Sequence, residues 1–112
     1  MIMNGLKTQT IETIISRLVE AIHPQEIYLF GSQAKANPNL PHRNSDMDLL
    51  IVVDDNAGSE MELFRQATQA LHGIKFPKDI VIIHKSKKDK WAPVKFSLAH
   101  EATHKGERLY AA

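Results

Sequence analysis

The sequence predicts a two-layer α+β domain, in which helices pack against a mixed β-sheet of three to four strands. Three short apolar runs, at residues 26–30, 47–53 and 79–84, have the length and composition of buried strands. A segment with helical periodicity precedes the first run, and a segment with helix-start and helix-stop signals separates the second from the third. Helices that alternate with strands in this way build one sheet with helices against it.

The first predicted helix ends before Pro24. Its apolar side chains, from Ile11 to Ile22, recur at intervals of three and four residues and therefore share one face. Strand 26–30 follows and runs directly into a Gly-Ser turn. Residues 33–36 are predicted to begin a short helix, and the segment after them is predicted to be irregular because it contains two prolines.

The second predicted strand, 47–53, ends in an acidic turn that contains a glycine. Ser59 and, three residues later, Glu62 match a capping box, in which the serine side chain bonds to a free backbone N–H at the helix start. This pair predicts a helix that continues to about His72. Gly73 then ends it, since glycine is the preferred residue just past a helix.

The third predicted strand covers 79–84. Ser86 with Asp89 is predicted to cap a short helical turn. Pro93 then leads into a last predicted helix at about 94–110. With this helix, the complete order is α-β-(α)-β-α-β-α.

Length and composition limit the class of protein. The chain has 112 residues, enough for one domain over residues 1–112, and its net charge of +1 creates no strong field toward nucleic acid or membrane. It contains no cysteine, which excludes a disulfide framework and a thiolate zinc site. The N-terminus lacks the pattern of a secretory signal, and the longest apolar run is too short to span a bilayer. We therefore expect a cytoplasmic protein with no membrane partner.

Three acidic residues lie at the starts of predicted strands. Asp46 and Asp48 precede or open the second strand, and because side chains alternate along a strand they point the same way, about 6–7 Å apart. Asp79 opens the third strand. Carboxylates that share a face repel each other unless a cation lies between them. Mg²⁺ is the cation that this pattern favours, because it takes oxygen ligands and binds through one or two carboxylates together with substrate phosphates.

A Gly-Ser pair at the end of the first strand fits the same chemistry. Gly31 lets the backbone bend and lets a phosphate approach closely, and Ser32 with the amides after it can donate hydrogen bonds to an anion. A Gly-Ser pair alone is usually only a turn, and paired acids often only end or cap a strand. Their order along the chain, with a third aspartate on a later strand, nevertheless predicts phosphate chemistry.

These residues resemble the core motif of the nucleotidyltransferase superfamily that includes DNA polymerase beta, poly(A) polymerases and kanamycin nucleotidyltransferase. That motif is Gly-Ser after a strand, then Asp-x-Asp between apolar positions, then a third acid on a later strand, matched here by Gly31, Ser32, Asp46, Asp48 and Asp79. In size and spacing the chain is most similar to the minimal nucleotidyltransferase (MNT) subfamily. The resemblance implies the polymerase beta-like fold and nucleotidyl transfer from a nucleoside triphosphate.

The resemblance also implies a role for each site residue. Asp46, Asp48 and Asp79 would be catalytic and would hold two Mg²⁺ ions, or Mn²⁺, with ATP as substrate. Two metal ions about 3.5–4 Å apart stabilise both the attacking and the leaving oxygen of an in-line displacement. Asp79 would in addition help to deprotonate the acceptor hydroxyl.

The nucleotide-binding residues implied by the resemblance are Gly31, Ser32, Lys35 and Arg43. Lys35 stands where members of the subfamily often have arginine, so it keeps the positive charge but lacks the two-pronged guanidinium. Arg43, in the loop before the paired acids, can compensate for this difference. Lys35 or Arg43 would neutralise the departing pyrophosphate.

Minimal nucleotidyltransferases are similar to antitoxins that pair with a small HEPN-type ribonuclease toxin. The resemblance implies transfer of AMP from ATP onto a tyrosine of that toxin, which silences it. Larger relatives carry further helical domains that bind RNA, DNA or an antibiotic. We therefore expect a partner to supply the acceptor for this chain. Nucleic acid stays open as an acceptor.

Two other functions are weighed against this one. The chain can be a binding module that neutralises its partner by contact, without catalysis. A remote alternative is a zinc metalloprotease, because His100-Glu101-x-x-His104 matches a zinc-protease signature, although no histidine follows to supply a third ligand. Four lysines between positions 85 and 90 form either a solvated face or an electrostatic guide for triphosphate or RNA.

Overall fold

The computed structural model describes residues 2–31, 47–75 and 78–112, with side chains described from residue 9 onward. These residues form one mixed sheet with helices on both of its faces. The elements, in chain order, are α1 (Ile2–Ile22), β1 (Glu26–Phe30), β2 (Met47–Val53), α2 (Glu60–Ala70), β3 (Lys78–His84), α3 (Lys85–Trp91), α4 (Leu98–His100), a π-helix (Glu101–Lys105) and β4 (Glu107–Ala111).

The sheet has the strand order β3-β2-β1-β4. Strand β1 pairs antiparallel with both β2 and β4, whereas β2 pairs parallel with β3. All residues of β2 from Leu49 to Val53 are buried. An unbroken apolar run of this kind is typical of a strand covered on both faces, because neither set of its alternating side chains meets water. The α+β fold class predicted from the sequence is confirmed.

The main core lies between one face of the sheet and the helices α1 and α2. Helix α1 contributes Ile14, Leu18 and Ile22, which are all buried, as the periodicity of the sequence predicts. Helix α2 begins as predicted: the hydroxyl of Ser59 accepts a hydrogen bond from the backbone N–H of Glu62 at 3.1 Å. The two long helices therefore share one side of the sheet.

The opposite face of the sheet has a smaller core. The helices α3 and α4 and the π-helix cover part of this face. Its buried residues are Tyr28, Leu50, Val52, Ile83, Ala99 and Ala102. Two alanines on the covering segment allow its backbone to approach the strands closely. No helix among the described residues has both the length and the apolar character needed to cross a bilayer.

The predicted last helix at 94–110 is wrong. Helical structure ends at Lys105, and residues 107–111 form the strand β4 along the free edge of β1. At Gly106, where the helical structure ends, a side chain has no room, because a Cβ atom would collide with the carbonyl oxygens of Leu29 and Ala102. The backbone groups of β1 then supply partners for the strand, a long-range contact that local propensity cannot reveal.

The predicted cap of the short helical turn is also wrong. Ser86 lies inside α3, whose N-cap is His84, and the backbone N–H of Ser86 donates to the Oδ1 atom of Asp55 at 2.9 Å. An aspartate in the turn after β2 thus takes the role that the sequence assigned to a local serine. The helix start is fixed by a partner 31 residues away.

We expect Gly106→Ala to lower the free energy of unfolding by about 1–3 kcal/mol, because the added methyl group forces backbone apart in a packed region. Chemical denaturation of the two proteins measures this change. Gly106 has a φ angle of −90°, which alanine also adopts, so this loss would come from the collision and not from backbone strain. Equal stability of Gly106→Ala and the wild type would contradict the proposed close approach.

Candidate active site

Two of the predicted catalytic aspartates lie side by side on neighbouring strands. Asp48 of β2 is the direct partner of Asp79 of β3 in the parallel register. Adjacent strands are about 4.8 Å apart, and side chains at paired positions point to the same face. Because side chains alternate between the two faces along β2 and β3, both carboxylates lie on the face of the sheet that also carries Leu50 and Val81. Folding therefore brings together two acids that are 31 positions apart in the sequence.

Gly31 completes this part of the site. Its φ angle is +78°, in the region that favours glycine, and a Cβ atom at this position would collide with the Oδ2 atom of Asp48. The absence of a side chain at residue 31 thus lets the Asp48 carboxylate lie against the turn after β1. Phe30, the last residue of β1, pairs with Asp48 in the antiparallel register. The turn and the acid are consequently held together at one end of the two central strands, β1 and β2.

The other predicted site residues lie outside the described residues. They are Ser32, Lys35, Arg43 and Asp46. The structure thus brings Gly31, Asp48 and Asp79 together and does not bear on the remaining members of the predicted set.

The described acids fit a hard divalent cation. Asp48 and Asp79 supply carboxylate oxygens on one face, which is the ligand type that Mg²⁺ prefers. Within residues 2–31, 47–75 and 78–112 no group of three potential His, Cys, Asp or Glu ligands comes together. The predicted third carboxylate belongs to Asp46, one residue before the described range that begins at Met47. Asp48, beside Gly31, can hold a metal ion that binds the triphosphate, and the exposed Asp79 can hold a second ion or accept a proton.

Three lysines of the basic run after β3 form ion pairs with carboxylates. Lys85 Nζ lies 3.5 Å from Asp89, and Lys87 Nζ lies 3.1 Å from Glu60. Lys88 Nζ lies 3.0 Å from Glu26 Oε1. Much of the positive charge of this run is therefore compensated within the domain, which weakens its interpretation as a guide for triphosphate.

Glu60 joins α2 to the end of β3, a link that the sequence analysis missed. One of its oxygens accepts the backbone N–H of His84 at 3.1 Å and the other pairs with Lys87. Burial alone would raise the pKa of Glu60, but the hydrogen bonds from Lys87 and from the His84 backbone outweigh it and hold the pKa below its ordinary value. The excess of lysine after β3 was the only sequence signal of this contact.

A second charged group that the sequence analysis missed lies at the end of β1 farthest from Gly31. The Tyr28 hydroxyl donates to Glu26 Oε2 at 3.0 Å, so this hydroxyl is turned to Glu26 rather than to the paired aspartates. Glu26 and Lys88 are both largely buried, with side chains 16% exposed. Burial by itself would raise the pKa of Glu26, and the contacts with Lys88 and Tyr28 more than offset it, so the pKa is lowered.

The lowered pKa of Glu26 predicts a pH-dependent contribution to stability. A carboxylate whose pKa is lower in the folded state stabilises the protein above its unfolded pKa, and this contribution is lost as the pH falls through the folded pKa. We expect Glu26→Gln to lower the free energy of unfolding by about 1–3 kcal/mol at pH 7, because Lys88 loses its partner. The difference from the wild type should shrink between pH 5 and pH 3. Urea denaturation across this range measures it, and a difference that does not depend on pH would contradict the assignment.

The zinc-protease match does not assemble a zinc-protease centre in the described part of the chain. Glu101 pairs with Lys105 at 3.3 Å, and the rings of His100 and His104 stack on each other. No third potential ligand among the described residues joins them. A catalytic zinc takes three protein ligands, so these two histidines do not complete such a site.

Comparison with known proteins gives one match. The family model described as Polymerase beta, Nucleotidyltransferase matches residues 12–112, a range that includes Gly31 and all three predicted catalytic aspartates. No curated protein and no solved structure matches the chain. The match spans nearly the whole chain, and within it the paired Asp48 and Asp79 occupy neighbouring strands. The chain therefore belongs to the polymerase beta nucleotidyltransferase family.

Proposed function

We propose that the chain is a Mg²⁺-dependent nucleotidyltransferase that transfers AMP from ATP to a hydroxyl group of a partner protein, as the antitoxin of a HEPN-type ribonuclease toxin. The observation that carries the catalytic part is the pairing of Asp48 with Asp79 beside Gly31. Membership of the family supports nucleotidyl transfer in general. The choice of a protein acceptor rests on the resemblance to minimal nucleotidyltransferases.

In the proposed reaction, Asp48 together with Asp46 would hold the Mg²⁺ ion to which the triphosphate binds. Asp79 accepts the proton of the acceptor hydroxyl. The hydroxyl oxygen forms a bond to the α-phosphorus of ATP, the bond from that phosphorus to the bridging oxygen breaks, and pyrophosphate leaves. Mg²⁺ held there would supply positive charge to stabilise the attacking and leaving oxygens. Ser32 and the backbone after Gly31 bind the outer phosphates, and Lys35 or Arg43 neutralises the pyrophosphate.

The position of Asp79 supports an acceptor that approaches from outside the domain. Strand β3 is at the edge of the described sheet, and Asp79 is exposed. A bulky acceptor such as a side chain on a folded protein can reach an exposed carboxylate at a sheet edge without rearrangement of the core. Pre-formed access of this kind favours transfer to a macromolecule over transfer to a deeply enclosed small molecule.

The test is transfer of α-labelled ATP by the purified protein with Mg²⁺, in the presence of the product of the neighbouring gene. We expect label on that product, and no label without a divalent ion. The Asp46→Asn/Asp48→Asn double variant should not transfer label. Absence of label on that product would overturn the proposed acceptor, and failure to label any protein or nucleic acid would overturn nucleotidyl transfer itself.

One observation favours a second candidate, neutralisation of a partner by contact alone. Four apolar side chains are exposed in the eight residues from the end of α3 to the start of α4, and Phe96 is 87% exposed. These residues are Trp91, Val94, Phe96 and Leu98. A stable complex that forms equally with the wild type and the double aspartate variant, without transfer of label, would make contact the better explanation.

A further inference from the structure

The turn between α3 and α4 presents a phenylalanine in an unusual backbone conformation. The backbone N–H of Ser97 donates to the carbonyl oxygen of Val94 at 3.1 Å, which closes a β-turn with Phe96 as its third residue. Phe96 has a φ angle of +69°, a value that glycine or asparagine normally takes at this position. Phe96 is also 87% exposed, so its side chain contributes little packing to offset the backbone strain. A strained and exposed aromatic residue indicates a role outside the free domain.

Hydrogen bonds at both ends hold this turn in one conformation. The Ser97 hydroxyl donates to the carbonyl oxygen of Trp91 at 2.7 Å and accepts the backbone N–H of His100 at 3.0 Å. The Nδ1 atom of His100 lies 2.8 Å from the carbonyl oxygen of Ala92 and donates to it, since a carbonyl oxygen can only accept. The exposed side chains of the turn are therefore presented in a fixed arrangement. A surface that is ordered before binding loses less conformational entropy when a partner binds.

Apolar side chains and uncompensated positive charge lie together at this turn. Besides Phe96, three large apolar residues of the segment 91–98 are 41–43% exposed. Lys90 and Lys95 adjoin them in the chain, and within residues 9–31, 47–75 and 78–112 neither of these two lysines forms an ion pair. An apolar centre with a polar rim is the composition of a protein–protein interface. The uncompensated charge favours a partner with acidic side chains.

The turn lies on the same side of the sheet as the paired aspartates. The helical segment that follows the turn packs against the sheet face that carries Asp48 and Asp79. This segment ends at Gly106, which lies directly against Phe30, the residue before Gly31. Helical residues rise about 1.5 Å each, so the turn at Ser97 is about 14 Å from Gly106. An interface of ordinary size buries about 800 Å² on each partner, which is wide enough to include both places.

We infer that residues 91–98, the docking turn, hold the protein that receives AMP. Phe96 enters an apolar pocket of that protein, and Lys90 and Lys95 pair with acidic side chains at the rim of the pocket. The docked protein covers the side of the sheet where the paired aspartates lie, so that its hydroxyl group can reach them. This inference rests on the proposed function, which requires a protein acceptor.

Two properties of the docking turn favour a protein over single-stranded nucleic acid. Bases stack on aromatic rings, whereas two of the four exposed large apolar residues, Val94 and Leu98, are aliphatic. The Lys90 ammonium group lies 5.6 Å from the centroid of the Trp91 ring. A base that stacked on this face of the indole would have to displace the ammonium group. An apolar pocket of a protein, in contrast, accepts aliphatic and aromatic side chains alike.

Phe96→Asn tests the aromatic anchor without loss of the turn, since asparagine tolerates a positive φ angle. We expect the midpoint of thermal unfolding to be no lower than that of the wild type. The affinity for the product of the neighbouring gene should fall by about tenfold or more, as it does when a central aromatic residue of an interface is removed. Isothermal titration calorimetry with the full-length proteins measures this affinity. Met61→Ala is the matched control and should bind like the wild type, because Met61 is 83% exposed on α2, on the other side of the sheet.

The double variant Lys90→Gln/Lys95→Gln tests the charge of the docking turn. It should bind the same product more weakly than the wild type at low salt. The difference should disappear at high salt, because dissolved ions screen exposed charges. Equal affinity of the double variant and the wild type at low salt would overturn the acidic rim.

The outcomes separate the docking turn from the proposed function. Equal affinity of Phe96→Asn and the wild type, or no complex of the wild type with that product, would overturn the docking turn, and transfer of label to the product would still support the proposed function. A complex that depends on Phe96, without transfer of label, would support the docking turn and overturn the proposed function. Binding of a labelled oligouridine that is lost in Phe96→Asn, with no protein complex, would overturn the protein partner in favour of nucleic acid.

Discussion

Asp79→Asn is expected to slow nucleotidyl transfer by about 10²–10³-fold while leaving ATP binding nearly intact. The amide keeps the size of the side chain but cannot accept the proton of the acceptor hydroxyl at neutral pH. Asp79 is exposed at the edge strand, so the fold should tolerate the change. Initial rates with α-labelled ATP measure the transfer, and equilibrium titration with a non-hydrolysable ATP analogue measures binding.

Comparison with Asp48→Asn separates the two proposed roles. Loss of Asp48 should weaken both transfer and Mg²⁺-dependent ATP binding, because this residue is assigned to the metal–triphosphate complex. Asp89→Asn is the matched control, since Asp89 is an exposed acid of α3 whose partners are lysines. Full activity of Asp79→Asn would remove it from the chemistry, and equal loss of ATP binding in both variants would assign the two acids a single shared role.

Gly31→Ala is expected to lower transfer by at least about 100-fold. The added Cβ atom would collide with Asp48 Oδ2, so the carboxylate must move. A displacement of about 1 Å at a catalytic group is enough for a loss of this size. The measurement is the rate of transfer at saturating ATP, together with the midpoint of thermal unfolding.

Gly73→Ala separates this steric effect from backbone strain. Gly73 also has a positive φ angle, +90°, but a Cβ atom there meets no atom within 4 Å. Alanine in this backbone region costs about 1–2 kcal/mol, so both variants should lose similar stability. Only Gly31→Ala should lose activity. Equal activity of the two variants would show that the carboxylate of Asp48 does not depend on the space beside Gly31.

The local elements of the fold were predictable from the sequence. Strands β1 and β2 have the predicted bounds, and β3 begins one residue earlier than expected, at Lys78. These runs are short and apolar, and their ends carry strong signals such as Pro24 and Gly31. The Ser59 cap was predictable for the same reason, since its bond to Glu62 depends on residues three positions apart.

The parts that were not predictable depend on contacts between distant residues. Strand β4 has no strong signal of its own and exists because β1 offers it an open edge. The parallel register that pairs Asp48 with Asp79 depends on the packing of whole strands. The sequence therefore predicts that both acids lie on strands, but it does not predict that they are direct partners. The ion pair of Glu26 with Lys88 likewise joins residues that only the fold brings together.

The pairing of β4 with β1 has a consequence for the newly made chain. During synthesis, one edge of β1 has no partner until residues 107–111 have left the ribosome, because no other described strand lies along that edge. Unpaired strand edges in a partly folded chain are sites of aggregation. We therefore expect a chain that ends before Gly106 to aggregate more readily than the full chain, because this edge of β1 stays unpaired.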